Sequence, residues 1–367
     1  MTVGFHSPLP PARTGVADYA ASLLRGLQSL GDVRPNARAA DVHLYHIGNN
    51  QLHRAIYERA IARPGVVVLH DAVLQHLFLG WFDETAYVSE FVYNYGEWNR
   101  DRARQLWRDR AASGTDDRYF RFPMLKRIAD RSLAIIVHNP GAAALVRNNR
   151  PEANVHIIPH LFDPPQDIDP ASVLEFRRAA GIPFDSYLLG VFGFLRESKR
   201  VFQVLDVSAQ LRAANPKIAL LVAGEFVSSD LERACLPLLS DPGVYRVPYM
   251  SEQDFWTAAM AIDACINLRV PAAGETSGIA IRMMGIGKPV LLTDAVENGN
   301  FPPGSFLPVP LGVAERAVLF DYICILATDR VLSGEIGRLA STHIRLEHSV
   351  AEVSERYWNL LCKNAGS

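Results

Sequence analysis

The chain is poor in the features that announce many specialised functions. It has only four cysteines in 367 residues, Cys235, Cys265, Cys324 and Cys362, with no CxxC pair among them. They read as reduced, mostly buried thiols rather than a disulfide framework or a metal centre. No apolar run reaches the ~18 residues that would span a bilayer. Net charge is only −2, so nothing draws the chain as a whole to nucleic acid. Neither GxGxxG nor GxxxxGK[ST] occurs, so neither a dinucleotide fingerprint nor an ATPase phosphate loop is supported. No DxD stands at a spacing suited to a divalent cation, and Asp116-Asp117 lies in a polar loop. No metal and no cofactor are expected. Met1-Thr2-Val3-Gly4-Phe5 enters a strand directly and lacks the charged and apolar regions of a secretion signal, so a cytoplasmic location is expected.

What the chain does contain is a repeated alternation. Short apolar runs at 3–5, 42–47, 66–69, 133–137 and 155–158 read as strands, separated by stretches with helical spacing such as 17–30 and 52–62. The pattern restarts after residue 185, with strands expected at 188–192, 219–223, 244–247, 264–267 and 290–293. Strand-helix alternation with apolar strands implies parallel sheets covered on both faces. The length of the chain also favours two hydrophobic cores over one. Between the two sets lies a segment rich in proline and acid, Pro159 and Asp163-Pro164-Pro165 through Asp169-Pro170. The expected organisation is therefore an α/β first domain over 1–165, a linker over 166–186 and a second domain over 187–345. A final C-terminal helix within 346–367 would pack back on the first domain.

Four loops at strand ends carry candidate chemistry. In Gly274-Glu275-Thr276-Ser277-Gly278, a lone carboxylate enters a small-residue turn that opens an apolar helix. The free amides at a helix start suit an anion. A carboxylate beside them must then face something neutral, such as a sugar hydroxyl. Phe192-Gly193-Phe194-Leu195-Arg196-Glu197-Ser198-Lys199-Arg200 places three cations in five residues after a glycine turn, a pocket suited to a diphosphate. Ser7-Pro8-Leu9-Pro10-Pro11-Ala12-Arg13-Thr14-Gly15 leads from the first strand into the first helix, and Gly15 lets a ligand approach the backbone. His70, in Leu69-His70-Asp71, stands at a strand end, where its imidazole can meet a hydroxyl.

One segment departs from the alternation. A helical insertion around 85–131 places Tyr87, Phe91, Tyr95 and Trp98 on one face and carries Arg100, Arg102, Arg104, Arg108, Arg110, Arg118, Arg121, Lys126, Arg127 and Arg131. It reads either as a helical pair with an aromatic core and a solvated face or as a positive wall. Such a wall over 87–131 would meet a phosphate-bearing acceptor or make peripheral contact with a membrane.

With these residues in place, the chain resembles a family-4 glycosyltransferase with the GT-B fold, two Rossmann-like doubly wound domains facing across a cleft. The resemblance covers nearly the whole chain and rests on four stretches in order. They are Ser7-Pro8-Leu9-Pro10-Pro11 with Thr14-Gly15-Val16-Ala17-Asp18-Tyr19; Leu69-His70-Asp71; Phe192-Gly193-Phe194-Leu195 with Lys199-Arg200; and Leu268-Arg269 and Pro271 with Gly274-Glu275-Thr276-Ser277-Gly278. It implies retaining hexosyl transfer from a UDP- or GDP-sugar to a glycan, lipid-linked or small-molecule acceptor. Catalysis would fall to Glu275, His70 and Lys199. Gly15, Gly193, Arg196, Lys199, Arg200, Gly274, Thr276, Ser277, Gly278 and Arg282 would line the donor site.

Two positions depart from the family pattern. Phe194 stands where an arginine is common, with Arg196 nearby to supply the charge. Arg282 or Met283 stands where a second, ribose-binding glutamate is expected. A non-catalytic sugar-nucleotide or glycan-binding subunit and a sugar-nucleotide epimerase on the same fold stay open as alternatives.

Overall fold

The structure, a computed structural model, describes residues 1–12, 14–248 and 250–365. Arg13 of the first loop and residues 366–367 at the end of the expected C-terminal unit lie outside the described residues.

Among the described residues twelve strands form two six-stranded sheets. The first contains β1 (Thr2–His6), β2 (Asp32–Pro35), β3 (Val42–Ile47), β4 (Val66–Leu69), β5 (Ala134–Val137) and β6 (Val155–Ile157) in the order β2-β1-β3-β4-β5-β6. The second contains β7 (Tyr187–Phe192), β8 (Ile218–Ala223), β9 (Val244–Val247), β10 (Ala264–Asn267), β11 (Val290–Thr293) and β12 (Leu307–Val309) in the order β12-β11-β10-β7-β8-β9. Every strand pairing is parallel. β3, β7 and β8 are buried along their whole length, as central strands covered by helices on both faces must be. The order reverses between β1 and β3 in one sheet and between β7 and β10 in the other. Ligands of open α/β sheets bind at such switch points, beyond the carboxyl ends of the strands.

Ten of the strands coincide with the expected ones to within one residue at each end, while β2 and β12 have no counterpart in that reading. Both are edge strands containing a proline, and β2 buries only Val33. An edge strand with one inward side chain lacks the apolar signal of a central one. A helix, Pro170–Ala179, lies within the stretch read as a linker; Asp169 caps it by accepting the Ala171 amide, and Pro170 takes the first turn.

The last helix, Val350–Asn364, crosses back to the first sheet. Its Val353, Tyr357, Leu360 and Leu361 share a core with Val3, Phe5, Leu23 and Leu27. Tyr357 is fully buried, and its hydroxyl lies 2.9 Å from that of Tyr19. A Cβ added at Gly26 would meet Ser354 Oγ at 2.1 Å, so the two helices approach closely there.

The insertion folds as the helices Glu84–Tyr95, Arg100–Arg108, Asp117–Phe120 and Lys126–Arg131. Tyr87 and Phe91 are fully buried, but Trp98 is 86% exposed, contrary to the single aromatic face expected. Gly96, at φ 86°, ends the first helix and turns the following residues off its face. Five of the ten cations pair with acids of the same segment: Arg100 with Glu97, Arg104 with Asp101, Arg118 with Asp109 and Asp116, Lys126 with Asp130, and Arg127 with Glu90. Arg110 and Arg102 lie over the rings of Trp107 and Phe122. Among the described residues no helix is long and apolar enough to cross a membrane.

Tyr357→Ala should cost about 3–5 kcal/mol, as large aromatic truncations in a core do. Denaturant unfolding measures it; a loss below about 1 kcal/mol would show that the last helix is not integral to the first core.

Candidate functional site

Loops at the carboxyl ends of the two sheets meet. The Ala72 amide, just past β4, donates to the Ala273 carbonyl at 2.7 Å. Asn139 Nδ2, just past β5, donates to the Gly274 carbonyl at 2.9 Å and lies 3.0 Å from Thr276 Oγ1. Gly274 has φ 75°, and a Cβ there would stand 2.7 Å from that of Ala72. Glycine is therefore required twice over, by its backbone and by the approach of the other domain. A third contact sets the turn at Val296 and Glu297 against Gly141.

Beside this contact lies Glu275, with both carboxylate oxygens engaged. Oε1 accepts from Arg269 Nη1 at 2.7 Å, and Oε2 accepts from the Ala273 amide at 2.6 Å. Ser277 caps the helix Gly278–Gly285: its Oγ accepts the Ala280 amide at 3.3 Å and Asn267 Nδ2 at 3.0 Å. Arg269 Nη2 reaches the same hydroxyl at 3.3 Å. The expected anion-binding start of this helix is thus flanked by a guanidinium. Arg269 belongs to the Leu268-Arg269 stretch, but nothing in its local spacing marks it for this place.

The loop after β7 supplies the other cations. Gly193 has φ 86°, and a Cβ there would meet Lys199 Nζ at 2.9 Å. Lys199 folds back beneath it and donates to the Phe192 carbonyl. Burial, followed by the charges of Arg269 and Arg196, pulls its ammonium down to about pKa 7. Arg196 lies over the Phe194 ring, 5.9 Å from its centroid, and its charge also reaches Asp71 and His76 of the first domain. Arg200 is committed elsewhere: Nε and Nη2 bind Oε1 of buried Glu315 at 3.0 and 2.8 Å. Arg282 pairs with Glu252 at 3.1 Å and lies about 5 Å from the ring centroids of Phe255 and Trp256. Its charge and that of Glu252 reach Asp18 across the cleft.

The first domain faces these groups with histidines. His70 Nε2 lies 2.9 Å from His46 Nδ1. Tyr19 touches His70, His138 and His160 with ring centroids 4.7–5.3 Å apart. His160 Nε2 would stand 3.5 Å from a Cβ on Gly278, so this cluster reaches the start of the helix Gly278–Gly285 itself. Burial holds His46, His70 and His160 well below the usual imidazole range, so they are neutral at physiological pH. His53, His138 and His160 each aim Nδ1 at a backbone carbonyl, which makes Nδ1 the protonated nitrogen. His46 Nε2 is buried without a partner. If it is a bare nitrogen, the shared hydrogen sits on His46 Nδ1, and His70 keeps its own on Nδ1 as a hydrogen-bond donor.

Asp71, next to His70, accepts the Asn49 amide at 2.8 Å. Burial and the Glu275 carboxylate raise its pKa. Gly15 begins the first helix with open space where a side chain would stand. Lys199, Gly193, Arg196, Gly274, Glu275, Thr276, Ser277, Gly278 and His70 therefore gather around the domain contact, whereas Arg200 is tied to Glu315. Among the described residues no group of three or more His, Cys, Asp or Glu side chains is arranged to hold a metal ion.

No family model matches the chain. A curated D-inositol 3-phosphate glycosyltransferase from Stackebrandtia nassauensis is 29% identical over 182 residues, spanning 43% of this chain and 41% of that protein. The match thus spans less than half of either. Among solved structures, Anabaena Alr3699/HepE in complex with UDP-glucose superposes with a TM-score of 0.70, 14% identity and coverage of 99% of this chain and 100% of that one. Sucrose-phosphate synthase from Thermosynechococcus elongatus gives 0.66 and 14%, covering 99% and 98%. The fold is GT-B, as the motifs implied, and the likeness to glycosyltransferases holds in both sequence and structure.

Lys199 generates a pH prediction. A diphosphate diester stays fully ionised and would stabilise the ammonium, raising a pKa that starts near 7. Binding then takes up a proton above pH 7, and affinity should fall by up to about tenfold per pH unit there. Calorimetric titration from pH 6 to 9 with UDP-glucose should show this slope, and Lys199→Gln should flatten it.

Proposed function

We propose that the chain is a retaining hexosyltransferase that takes its sugar from a nucleoside-diphosphate donor and works without a metal ion. The carrying observation is the position of Glu275, a carboxylate held at the contact between the domains and paired with Arg269, whose charge also reaches Lys199. Lys199, Arg269, Arg196 and the amides at Thr276–Gly278 would neutralise the diphosphate. Glu275, His70 as an Nδ1–H donor, and Asp71 would take sugar or acceptor hydroxyls. Solved neighbours holding UDP or UDP-glucose make uridine donors the first to test.

In this reading the bond from the anomeric carbon to the diphosphate oxygen breaks as the acceptor oxygen bonds to the same face. The acceptor proton passes to the departing phosphate oxygen. A diphosphate is a good leaving group, so the protein's main work is to stabilise its growing charge. Cations fixed in a partly buried cleft do this more effectively than solvent. Arg282, already bound to Glu252, would sit at the ribose end of the donor, and Gly15 would leave room for the diphosphate from the first domain.

For the acceptor, the reading favours a saccharide, free or lipid-linked, approaching along the insertion. Arg108, Arg121 and the exposed Trp98 are the groups there best placed to meet an anionic surface. Liposome flotation with anionic lipid tests this, with Arg108→Glu and Arg121→Glu expected to abolish binding. If the unaltered protein stays unbound, the acceptor is a soluble one.

A donor panel read by thermal shift should identify one nucleotide sugar. A ligand at 100 times its Kd stabilises by about 2.7 kcal/mol. With that donor, NMR of the product should show the donor's anomeric configuration retained. Glu275→Ala should reduce transfer at least about 10³-fold while a cooperative melt shows the variant still folded; transfer that survives the substitution would defeat the proposal.

A further inference from the structure

Glu275 and the diphosphate have a claim on the same cation. Arg269 Nη1 holds Glu275 Oε1 at 2.7 Å, and Nη2 reaches Ser277 Oγ at 3.3 Å. Its Nε–H is buried with no partner. The guanidinium thus lies between the sugar-gripping carboxylate and the cap of the anion-binding helix. It is also close enough to Lys199 to depress that ammonium by its charge. Another cation, a helix start and its own unused buried N–H suit the surroundings of Arg269 to an anion, and the carboxylate in direct contact with it is Glu275. Asp71 and Arg196 complete the charges facing it, one of each sign.

We infer that Arg269 is a shared cation that links the two halves of donor recognition. A diphosphate bound between Lys199 and Gly278 draws the guanidinium, through Nε and Nη2, away from Glu275. The carboxylate is then released to accept hydroxyls of the sugar. Diphosphate capture and sugar capture become one event, and a nucleotide without a sugar leaves a carboxylate deprived of its counter-ion. Arg269 thereby supplies the positive charge that Phe194 lacks and acts as a specificity residue for the intact donor over its nucleotide product. The inference rests on the donor reading of the cleft.

The competition makes a counter-intuitive prediction. Glu275→Gln keeps the shape and the hydrogen bond from the Ala273 amide but removes the charge that holds Arg269. UDP and inorganic pyrophosphate, titrated calorimetrically, should bind this variant about tenfold more tightly than the unaltered protein. UDP-glucose should gain less or lose affinity, so the preference for the sugar nucleotide over UDP should shrink by about tenfold or more. Arg269→Gln should weaken UDP and pyrophosphate by about tenfold or more, and adding Glu275→Gln to it should give no further gain. Melting curves confirm that each variant is folded. UDP and pyrophosphate affinities unchanged or lowered by Glu275→Gln would overturn the inference and leave the donor reading intact. Failure of the unaltered protein to bind either probe would instead overturn both.

Discussion

The contact on which the site depends is a small polar stitch between two sheets. Ala72 and Asn139 of the first domain reach the carbonyls of Ala273 and Gly274 in the second, and Gly274 admits them only because it has no side chain. Both partners come from the carboxyl ends of parallel strands, the edges where open α/β sheets bind ligands. The stitch therefore joins the two chemical edges rather than two inert faces. The last helix adds a second tie, through the hydroxyls of Tyr357 and Tyr19, behind the histidines that reach Gly278. Loops from both domains thus share one narrow volume in which charges feel each other through little solvent.

Burial sets the character of each wall of that volume. On the first-domain side the histidines are neutral because desolvation penalises their charged forms, so they offer directed hydrogen bonds rather than charge. On the second-domain side Arg269 and Arg196 stay charged, since a guanidinium cannot shed its proton, and they depress Lys199 instead. Glu275 lies between the two walls with its oxygens already paired, which makes its availability a matter of competition. The neutral wall suits sugar hydroxyls and the positive wall suits phosphate.

Much of this was legible in local sequence. The central strands announced themselves as unbroken apolar runs, and the loops after them carried glycine, cations and a lone acid at spacings that have direct backbone meaning. Gly193 and Gly274 do have positive φ, and Ser277 does cap its helix. Edge strands β2 and β12 escaped because each is short and contains a proline, with one inward residue in β2 and two in β12, which leaves little pattern to read. Trp98 misled because helical spacing was extended across Gly96, whose backbone ends the helix.

The chain by itself determined which segments are most of the strands and helices, that they form two parallel sheets, and that four loops at strand ends carry glycines, cations, a histidine and a lone acid. These follow from periodicity and turn chemistry, which act over a few residues. Only the tertiary structure decided which charge meets which. It gave Arg200 to Glu315, 115 residues away, and set Arg269 between Glu275 and Lys199. It also placed His160 against Gly278, across 118 residues. Electrostatic and hydrogen-bond partners are chosen by distance in space, and sheet topology, not sequence spacing, sets that distance.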